Sequence, residues 1–385
     1  MGGSTATPEA FGDMLALSTT IGPNVTVSKA DPLAAAMVAR AAYCYVLPCV
    51  CVMGIVGNIT NLIVLSSRRL RAVSYMYLRA LAVADLFCMI FALMFVSVQI
   101  ADEMGLKTHR FAIIRFYHCH FMLTLINWSI GTGVFIVVAL TLERFISIVF
   151  PMHFRQWNSP QRAFKAIAMA FIIPFFLYLP YCIGRYQMSP RIVNETTNET
   201  VYKWTRESSL RFAPIIILCL LNINIMLAFR KRQKMFNQLT KRKDDRASKD
   251  DTLLYMLAGT VFMFFVCNIP AAINLLFINE ELKKRLDYQV FRAVANILEI
   301  SNHASQFYVF CACSTDYRTT FIAKFPCFEK SYSGRGAIRS IVKRTQSMIT
   351  RERATDSEGR TTASPKSGPS PNHRDGHDGR ASREL

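Results

Sequence analysis

The 385-residue sequence lacks the short patterns that accompany catalysis. It has no metal-ligand spacing, no nucleophile elbow and no glycine-rich phosphate loop. It also lacks an internal repeat, which argues against a transporter built from inverted repeats. Acidic residues are scarce, at 26 against 45 Lys and Arg, and the formal net charge is +19. We therefore expect no enzymatic activity, no cofactor and no bound metal.

The basic residues fall in short segments between apolar runs and in the carboxyl-terminal tail. This distribution indicates charges that orient a membrane protein rather than a nucleic-acid-binding surface.

Hydrophobic residues make up 52% of the chain. Seven apolar runs reach the roughly 20 residues that a transmembrane helix needs. These predicted spans are 43–66, 75–99, 116–149, 163–183, 209–229, 252–278 and 288–313. The sequence therefore predicts an all-α membrane protein, a seven-transmembrane helix bundle.

The basic loops also predict the orientation of the bundle. The loops that carry Lys and Arg are 67–73, 150–162 and 230–250. The positive-inside rule makes these loops cytoplasmic, and the last of them is expected to contact anionic lipid. We predict an extracellular amino terminus (1–42), a membrane domain with a short eighth helix (43–326) and a disordered cytoplasmic tail (327–385).

Glycosylation sequons give an independent indication of this topology. Asn24, Asn194 and Asn198 each begin an Asn-x-Ser/Thr pattern in a predicted extracellular segment. Asn58 and Asn127 match the same pattern within spans, and we interpret them as chance matches. The three accessible sequons support an amino terminus outside the cell.

Most of the eleven cysteines lie within spans, where Cys behaves as a small apolar residue. Cys119 and Cys182 lie near predicted extracellular helix ends, where a disulfide could form. Cys327 follows the last span, and it is either a palmitoylation site or a plain free thiol.

Polar side chains inside a bilayer are costly, so each one is a functional candidate by default. They occur in most of the predicted spans, at Asn58, Asn61, Asp85, Glu143, Arg144, Asn268, Asn302, His303 and Gln306. A single buried Asn often only holds helices together. Polar residues in most of the spans instead predict a hydrogen-bonded network that runs through the bundle.

Several of these residues occur in motifs that resemble those of the rhodopsin-like (class A) G-protein-coupled receptors. The motifs are Gly57-Asn58 in the first span, Leu-Ala-Val-Ala-Asp-Leu at 81–86, Cys119 at the outer end of the third span and Glu143-Arg144-Phe145 at its inner end. Arg144 follows Cys119 by 25 residues, and these correspond to about 37 Å of helix, which suits a tilted span. The resemblance covers residues 43–326.

Departures from the usual family pattern narrow the resemblance. Residues 264–270 read Phe-x-x-Cys-Asn-x-Pro, with Asn in place of the usual Trp. Residues 306–310 read Gln-Phe-Tyr-Val-Phe where Asn-Pro-x-x-Tyr is usual. The combination is most similar to invertebrate FMRFamide-type neuropeptide receptors.

The resemblance implies a ligand in the outer half of the bundle, an outward swing of the sixth helix about Pro270, and a heterotrimeric G protein inside. Glu143 would neutralise Arg144 at rest, with Asp250 at the foot of the sixth helix as a second partner. The implied switch residues are Asp85, Glu143, Arg144, Asp250, Phe264, Asn268, Pro270, Asn302, Gln306 and Phe310, and Asn58 and Pro214 are structural. Plasma-membrane localisation follows too, with arrestin and receptor kinases as partners of the tail.

Two family features are altered in this sequence. Asp85 resembles the family's sodium-site carboxylate, but its usual Ser and Asn partners are replaced by Gly133 and Gln306, so we expect weak sodium binding. The family resemblance also implies a disulfide from Cys119, normally to the loop before the fifth span. That loop contains no Cys, and Cys182 is the nearby candidate.

The expected ligand is a neuropeptide, of the RFamide class by resemblance. Ile126 replaces the Asp of monoamine receptors and the seventh span has no Lys, which excludes amines and retinal. Candidate ligand residues are Gln99, His120, Asn127, Asn274 and Asn296, with Asp102, Glu103, Glu280 and Glu281 as acidic candidates for the peptide Arg. The alternatives are an orphan chemosensory receptor for a small molecule and a seven-span transporter.

Overall fold

The computed structural model describes residues 32–68, 70, 72–106, 108–184, 197–239, 245–277, 282 and 285–325. The chain divides into two units, Met1–Lys324 and Phe325–Leu385, and the first contains all the described helices. The predicted glycosylation of Asn24 and Asn194, the predicted palmitoylation of Cys327 and the acidic candidates Glu280 and Glu281 lie outside the described residues.

In its described residues, the first unit contains seven long helices and a short eighth one. Helix α1 comprises Pro32–Ala39, the π-helical stretch Arg40–Val46 and Leu47–Leu65; α2 is Ser74–Glu103; α3 comprises Ala112–His120 and Met122–Val149; α4 is Pro160–Gly184. Helix α5 comprises Thr197–Glu207, the π-helical Ser208–Phe212 and Ala213–Leu239; α6 is Asp245–Phe277; α7 comprises Leu286–Ala304 and Gln306–Cys313; α8 is Thr315–Lys324. Short helices at Thr108–Arg110 and Pro151–Trp157 lie in the loops. No strand occurs in the described residues, which confirms the predicted all-α class.

Two helices begin earlier than the apolar pattern predicted. Helix α1 starts at Pro32 rather than near 43, because the segment that follows is rich in alanine, the strongest helix former. Helix α5 starts at Thr197 rather than near 209, and its first turns are polar and therefore invisible to hydropathy. The predicted amino-terminal segment 1–42 thus ends in helix.

Six of the helices, α1 to α6, are long and apolar enough to cross a membrane. Helix α7 does not meet that criterion, although it packs against α1, α2 and α6 as a member of the bundle. The reason is a polar stripe at helical spacing, Arg292, Asn296, Glu299 and His303, on one face of α7. This stripe also contributes several side chains to the candidate site.

Helix α3 forms the centre of the bundle. Its most apolar stretch is 72% buried, against 22% for α4 and 17% for α5. The large apolar side chains that remain exposed, such as Phe176, Leu220 and Phe262, suit contact with lipid. The bundle therefore hides its polar groups inside and presents apolar groups outward.

Small residues allow the helices to approach each other closely. A Cβ at Gly54 of α1 would lie 2.9 Å from the Ala304 Cβ of α7, and one at Gly259 of α6 would lie 2.6 Å from the Cys313 Sγ of α7. Proline shapes α5, where Pro214 lies two residues after the end of the π-helical stretch at Phe212 and lacks an N–H to bond the turn before it.

Candidate functional site

The inner end of α3 carries a buried triangle of polar side chains. Arg144 Nε lies 3.1 Å from Glu143 Oε2, and the Arg144 side chain is only 8% exposed. Ser74, the first residue of α2, has its hydroxyl 2.9 and 3.0 Å from the two Glu143 carboxylate oxygens. The same Ser74 oxygen accepts a hydrogen bond from Arg144 Nη2. Arg144 is therefore held by α2 as well as by its neighbour on α3.

Ser74 was not among the residues predicted from the sequence. A Ser at the start of a helix ordinarily indicates a cap, and nothing in the local pattern marks it as a partner of a residue seventy positions later. Asp250 belongs to α6, but its side chain lies outside the described part of the chain. An Arg144–Asp250 contact therefore stays a prediction.

The middle of the bundle contains a buried acid–imidazole pair. His303 Nδ1 of α7 lies 2.7 Å from Asp85 Oδ1 of α2, and both side chains are at most 2% exposed. A Cβ at Gly133 of α3 would lie 3.1 Å from His303 Cε1 and 3.4 Å from Asp85 Oδ1. The imidazole thus fills space that a side chain at position 133 would otherwise occupy. Asp85 therefore contacts a protein side chain at the place where the family resemblance implied a sodium ion.

A chain of hydrogen bonds joins this pair to α1 and α8. Asn58 Nδ2 donates to the backbone carbonyls of Gly54 (2.9 Å) and His303 (3.0 Å), and Asn61 Nδ2 lies 3.4 Å from Asn58 Oδ1. Tyr317 of α8 donates its hydroxyl to Asn61 Oδ1 at 2.6 Å and is completely buried. Asn58, predicted as a structural residue, thus links α1 to α7 through the His303 carbonyl. The hydrogen-bonded network continues through Asn61 to Tyr317 of α8.

The inner half of α7 touches α6 and α8 through the residues that replace the family's usual motif. Thr260 of α6 donates a hydrogen bond to Gln306 Oε1 at 3.3 Å. Phe310 packs edge-on against Tyr317, with ring centroids 5.6 Å apart. Asn302 is 5% exposed, and its Oδ1 makes no hydrogen bond to any described residue. Helix α7 breaks at Ser305, whose hydroxyl donates to the Asn302 carbonyl.

The predicted α6 residues face the interior. Phe264 is 2% exposed and Asn268 is 5% exposed, and Asn268 Nδ2 donates to the Phe264 carbonyl at 2.8 Å. Pro270 lies within the helix one half-turn further. A small cavity lies beside them, with room for about one water-sized group (about 10 Å³). Its lining includes Tyr178, Arg211 and Glu299.

A cluster of buried charges surrounds that cavity. Arg211 Nη2 of α5 lies 3.1 Å from Glu299 Oε1 of α7, and Arg211 Nε lies 3.4 Å from Glu207 Oε2. Arg206 pairs with Glu207 at 2.8 Å and lies over the Tyr178 ring at 5.4 Å from its centroid. None of these charged residues was predicted as a site residue. Arg206, Glu207 and Arg211 precede or begin the predicted fifth span, whereas Glu299 lies within the predicted seventh span and was missed there.

Two predicted ligand residues, Asn274 and Asn296, lie at the outer end of this region. Asn274 Oδ1 accepts a hydrogen bond from the Tyr288 hydroxyl at 2.9 Å, and Asn296 Nδ2 donates to the Tyr43 hydroxyl at 2.9 Å. Both amides are at most 1% exposed. Asn274 Nδ2 and Asn296 Oδ1 have no hydrogen-bond partner among the described residues.

The other predicted ligand residues are placed differently. Asn127 Nδ2 donates to the Leu123 carbonyl of its own helix at 2.8 Å, and His120 Nδ1 lies 3.2 Å from the Cys182 carbonyl. Gln99 is half-buried in the last turns of α2. The acidic candidate Glu103 pairs with Arg40 at 2.5 Å.

Asp102, another acidic candidate, accepts hydrogen bonds from the Thr108 amide and hydroxyl at 2.9 and 2.6 Å. Cys182 is a free thiol, so the predicted Cys119–Cys182 disulfide is not present in the structure. The backbone carbonyl of Cys182, rather than its sulfur, contacts α3 through His120. Asn198, the predicted glycosylation site within the described residues, is exposed in the first turn of α5.

The sequence matches a known family over most of its membrane part. The profile described as "7 transmembrane receptor (rhodopsin family)" matches residues 57–306. The "Probable G-protein coupled receptor B0563.6" of Caenorhabditis elegans is 64% identical over 342 residues, which cover 85% of this chain and 79% of that protein.

More distant relatives include receptors named for peptides. The "Somatostatin receptor type 5" of Bos taurus is 24% identical over 297 residues, which cover 75% of this chain and 76% of that protein. The "FMRFamide peptide receptor frpr-18" of C. elegans is 25% identical over 312 residues, with coverage of 71% and 67%.

Proposed function

The chain belongs to the rhodopsin family of seven-transmembrane receptors, and we propose that it is a receptor for a neuropeptide. The family makes it a G-protein-coupled receptor rather than an enzyme. The peptide proposal rests on the polar interior of the outer half of the helix bundle. This half contains the amino-terminal turns of α7. Charges of both signs, Arg211 and Glu299, lie there beside the buried amides of Asn274 and Asn296.

A peptide suits such an interior better than a small apolar ligand does. Peptide bonds and side chains provide many donors and acceptors, and each buried polar group needs a partner. Similarity to somatostatin and FMRFamide receptors supports the same class. Ile126 is fully buried on α3 at the position where the resemblance places a monoamine-binding Asp, which supports the exclusion of amines.

The finer proposal is a peptide of the FMRFamide-like class. The motifs at 264–270 and 306–310 support it, as does the frpr-18 similarity. Such a peptide carries an Arg that needs a carboxylate. We propose that Glu299 makes this contact. Glu299 is 2% exposed and also forms an ion pair with Arg211.

The experiment is expression at the cell surface with a panel of amidated peptides, RFamide sequences included, and readouts of calcium and cyclic AMP. We expect at least one peptide to give a saturable response that untransfected cells lack. Silence to the whole panel, together with a response to a small odorant, would replace the peptide with a small-molecule ligand.

The inner triangle is the proposed resting state of the switch. A ligand that binds the open-inside state more tightly shifts the population toward it, and Arg144 must then leave Glu143 and Ser74. Asp250 is proposed as a second partner of Arg144, with Pro270 as the hinge of α6. An increase in basal signalling for Asp250→Ala supports that latch, and unchanged basal signalling at matched surface expression excludes it.

The remaining proposals concern surroundings and partners. We place the receptor in the plasma membrane with its amino terminus outside, a heterotrimeric G protein at the inner end, and arrestin and receptor kinases on the tail. The basic loop 230–250 supports contact with both anionic lipid and the G protein.

A further inference from the structure

Arg292 of α7 is a half-buried cation that has no counter-ion among the described residues. Its Nε and Nη2 atoms are shielded from solvent and make no hydrogen bond to any described residue. A shielded charge without a partner is costly, whereas a guanidinium that meets a carboxylate forms two parallel, charge-assisted hydrogen bonds. Arg292 therefore has the chemistry of a carboxylate site.

The surroundings of Arg292 supply further polar atoms without partners. Asn274 Nδ2 is a second buried donor with no described acceptor, and Asn296 Oδ1 lies one helical turn further along α7 from Arg292. Arg292 lies one turn of α7 after Tyr288 and one turn before Asn296, and the hydroxyls of Tyr288 and Tyr43 bond the amides of Asn274 and Asn296. Arg292, Asn274 and Asn296 thus belong to one polar group where α1, α6 and α7 meet.

The charge balance of the outer half favours an anion over a cation. In the interior of the outer half, the described basic side chains are Lys203, Arg206, Arg211 and Arg292, and the acidic ones are Glu207 and Glu299. Both acids already contact arginines of α5 at 2.8 to 3.4 Å. A ligand carboxylate would pair with Arg292 without displacing an existing ion pair.

We propose that Arg292, with Asn274, binds a carboxylate of the ligand. This proposal rests on the peptide-receptor function and specifies the peptide: it carries a free carboxyl terminus or an acidic side chain near the end that enters the bundle. An RFamide peptide satisfies this only through an acidic side chain, because its amidated end has no carboxylate. Arg292 donates its Nε–H and Nη2–H to the carboxylate, and Asn274 adds an amide N–H.

The test measures the thermal unfolding of the full-length receptor in lipid nanodiscs with minimal probes. The probes are N-acetylphenylalanine, with a terminal carboxylate; N-acetylglutamate α-amide, with a side-chain carboxylate; and N-acetylphenylalaninamide, with neither. We expect at least one carboxylate probe at millimolar concentration to raise Tm by about 2–4 °C, and the neutral amide to have no effect. The more effective carboxylate identifies its source in the ligand.

Substitutions locate the site. Arg292→Gln should abolish the Tm shift. Arg292→Lys should reduce it, because lysine keeps the positive charge but cannot form two parallel hydrogen bonds to a carboxylate. The matched control is Arg285→Gln just before α7, since the Arg285 side chain is 42% exposed and already pairs with Asp287 at 2.6 Å. An equal shift with the neutral amide, no shift with any probe, or a shift that persists in Arg292→Gln would overturn the proposal. Since this readout needs no agonist or G protein, failure of the peptide panel in cells leaves it unaffected.

Discussion

At the scale of single residues, the structure assigns partners that the sequence motifs alone do not. Arg144 contacts Glu143, as predicted, and also Ser74 of α2. Asp85 contacts His303, a residue visible in the seventh span but not predicted as a partner. In both cases the missing information is the register between two helices, which depends on packing rather than on local pattern.

Ser74 restrains Arg144, so removing its hydroxyl should raise basal signalling. Ser74→Ala deletes a hydrogen bond to a charged group, and such a bond contributes about 1.5–3 kcal/mol. We expect basal G-protein signalling to rise by about tenfold at matched surface expression, because about 1.4 kcal/mol changes an equilibrium constant tenfold. The control is Ser97→Ala on the same helix, because the Ser97 hydroxyl donates only to the Met94 carbonyl. Equal basal activity in the two variants would exclude a restraining part for Ser74.

The Asp85–His303 pair should behave as a coupled unit. His303→Leu leaves a buried carboxylate without its partner, and breaking a buried pair costs about 3–5 kcal/mol. Thermal unfolding of Asp85→Leu, His303→Leu and the double variant measures the coupling. We expect the double variant to lose clearly less stability than the sum of the two single losses. Strict additivity would show that the 2.7 Å contact stabilises nothing.

At the scale of helices, the most consequential contact lies between α8 and α1. The resemblance places Phe310 where a Tyr is usual, and a tyrosine hydroxyl comes instead from Tyr317. Its ring packs on Phe310 while its hydroxyl reaches Asn61, so one side chain joins α1, α7 and α8. Helix α8 should therefore be a fixed part of the inner surface.

Tyr317→Phe should loosen α8 with little change elsewhere. The variant removes one buried hydrogen bond, worth about 1 kcal/mol, and leaves the Asn61 oxygen with one partner fewer. We expect a Tm lower by about 2–4 °C and faster amide hydrogen exchange in α8. Tyr308→Phe on α7, where the side chain is 48% exposed, is the matched control and should leave both values unchanged. Identical amide hydrogen exchange in the two variants would contradict the proposed connection of α8 to α1 through Tyr317 and Asn61.

The helices themselves were largely predictable from the sequence, and the polar contacts were not. Runs of about 20 apolar residues predicted the bundle, and Asn58 and Asn268, predicted as members of an internal polar network, are buried. Hydropathy missed the polar first turns of α5, where Arg206 and Glu207 lie. The composition of α7 shows the same limit, because the stripe that weakens its apolar signal is the part that faces the site.

At the scale of the whole molecule, the orientation of the bundle determines which end meets the ligand. The basic loops predict that the amino terminus and the start of α5 lie outside. Asn198 is exposed in that first turn of α5, whereas Asn58 and Asn127 are at most 4% exposed in the bundle. A glycan can be attached only at an exposed sequon such as Asn198, and not at the buried Asn58 or Asn127.

Glycosylation therefore tests the orientation. We expect a gel-mobility shift on enzymatic deglycosylation that shrinks stepwise as Asn24, Asn194 and Asn198 are each changed to Gln. A receptor without a shift, or one whose shift persists in the triple variant, would contradict the predicted topology. Asn127→Gln is the control, since its amide is engaged with the Leu123 carbonyl inside α3.

The central claim is that a peptide in the outer half drives the switch at Arg144, and nucleotide exchange tests it most directly. The receptor in nanodiscs is mixed with purified heterotrimeric G proteins, and guanine-nucleotide exchange is timed with and without each panel peptide. The account predicts that at least one peptide accelerates exchange in the wild type. Where that peptide carries an acidic side chain, Arg292→Gln needs a concentration of it that is higher by about tenfold or more. Exchange that no peptide accelerates, while a small uncharged ligand does, would contradict the account.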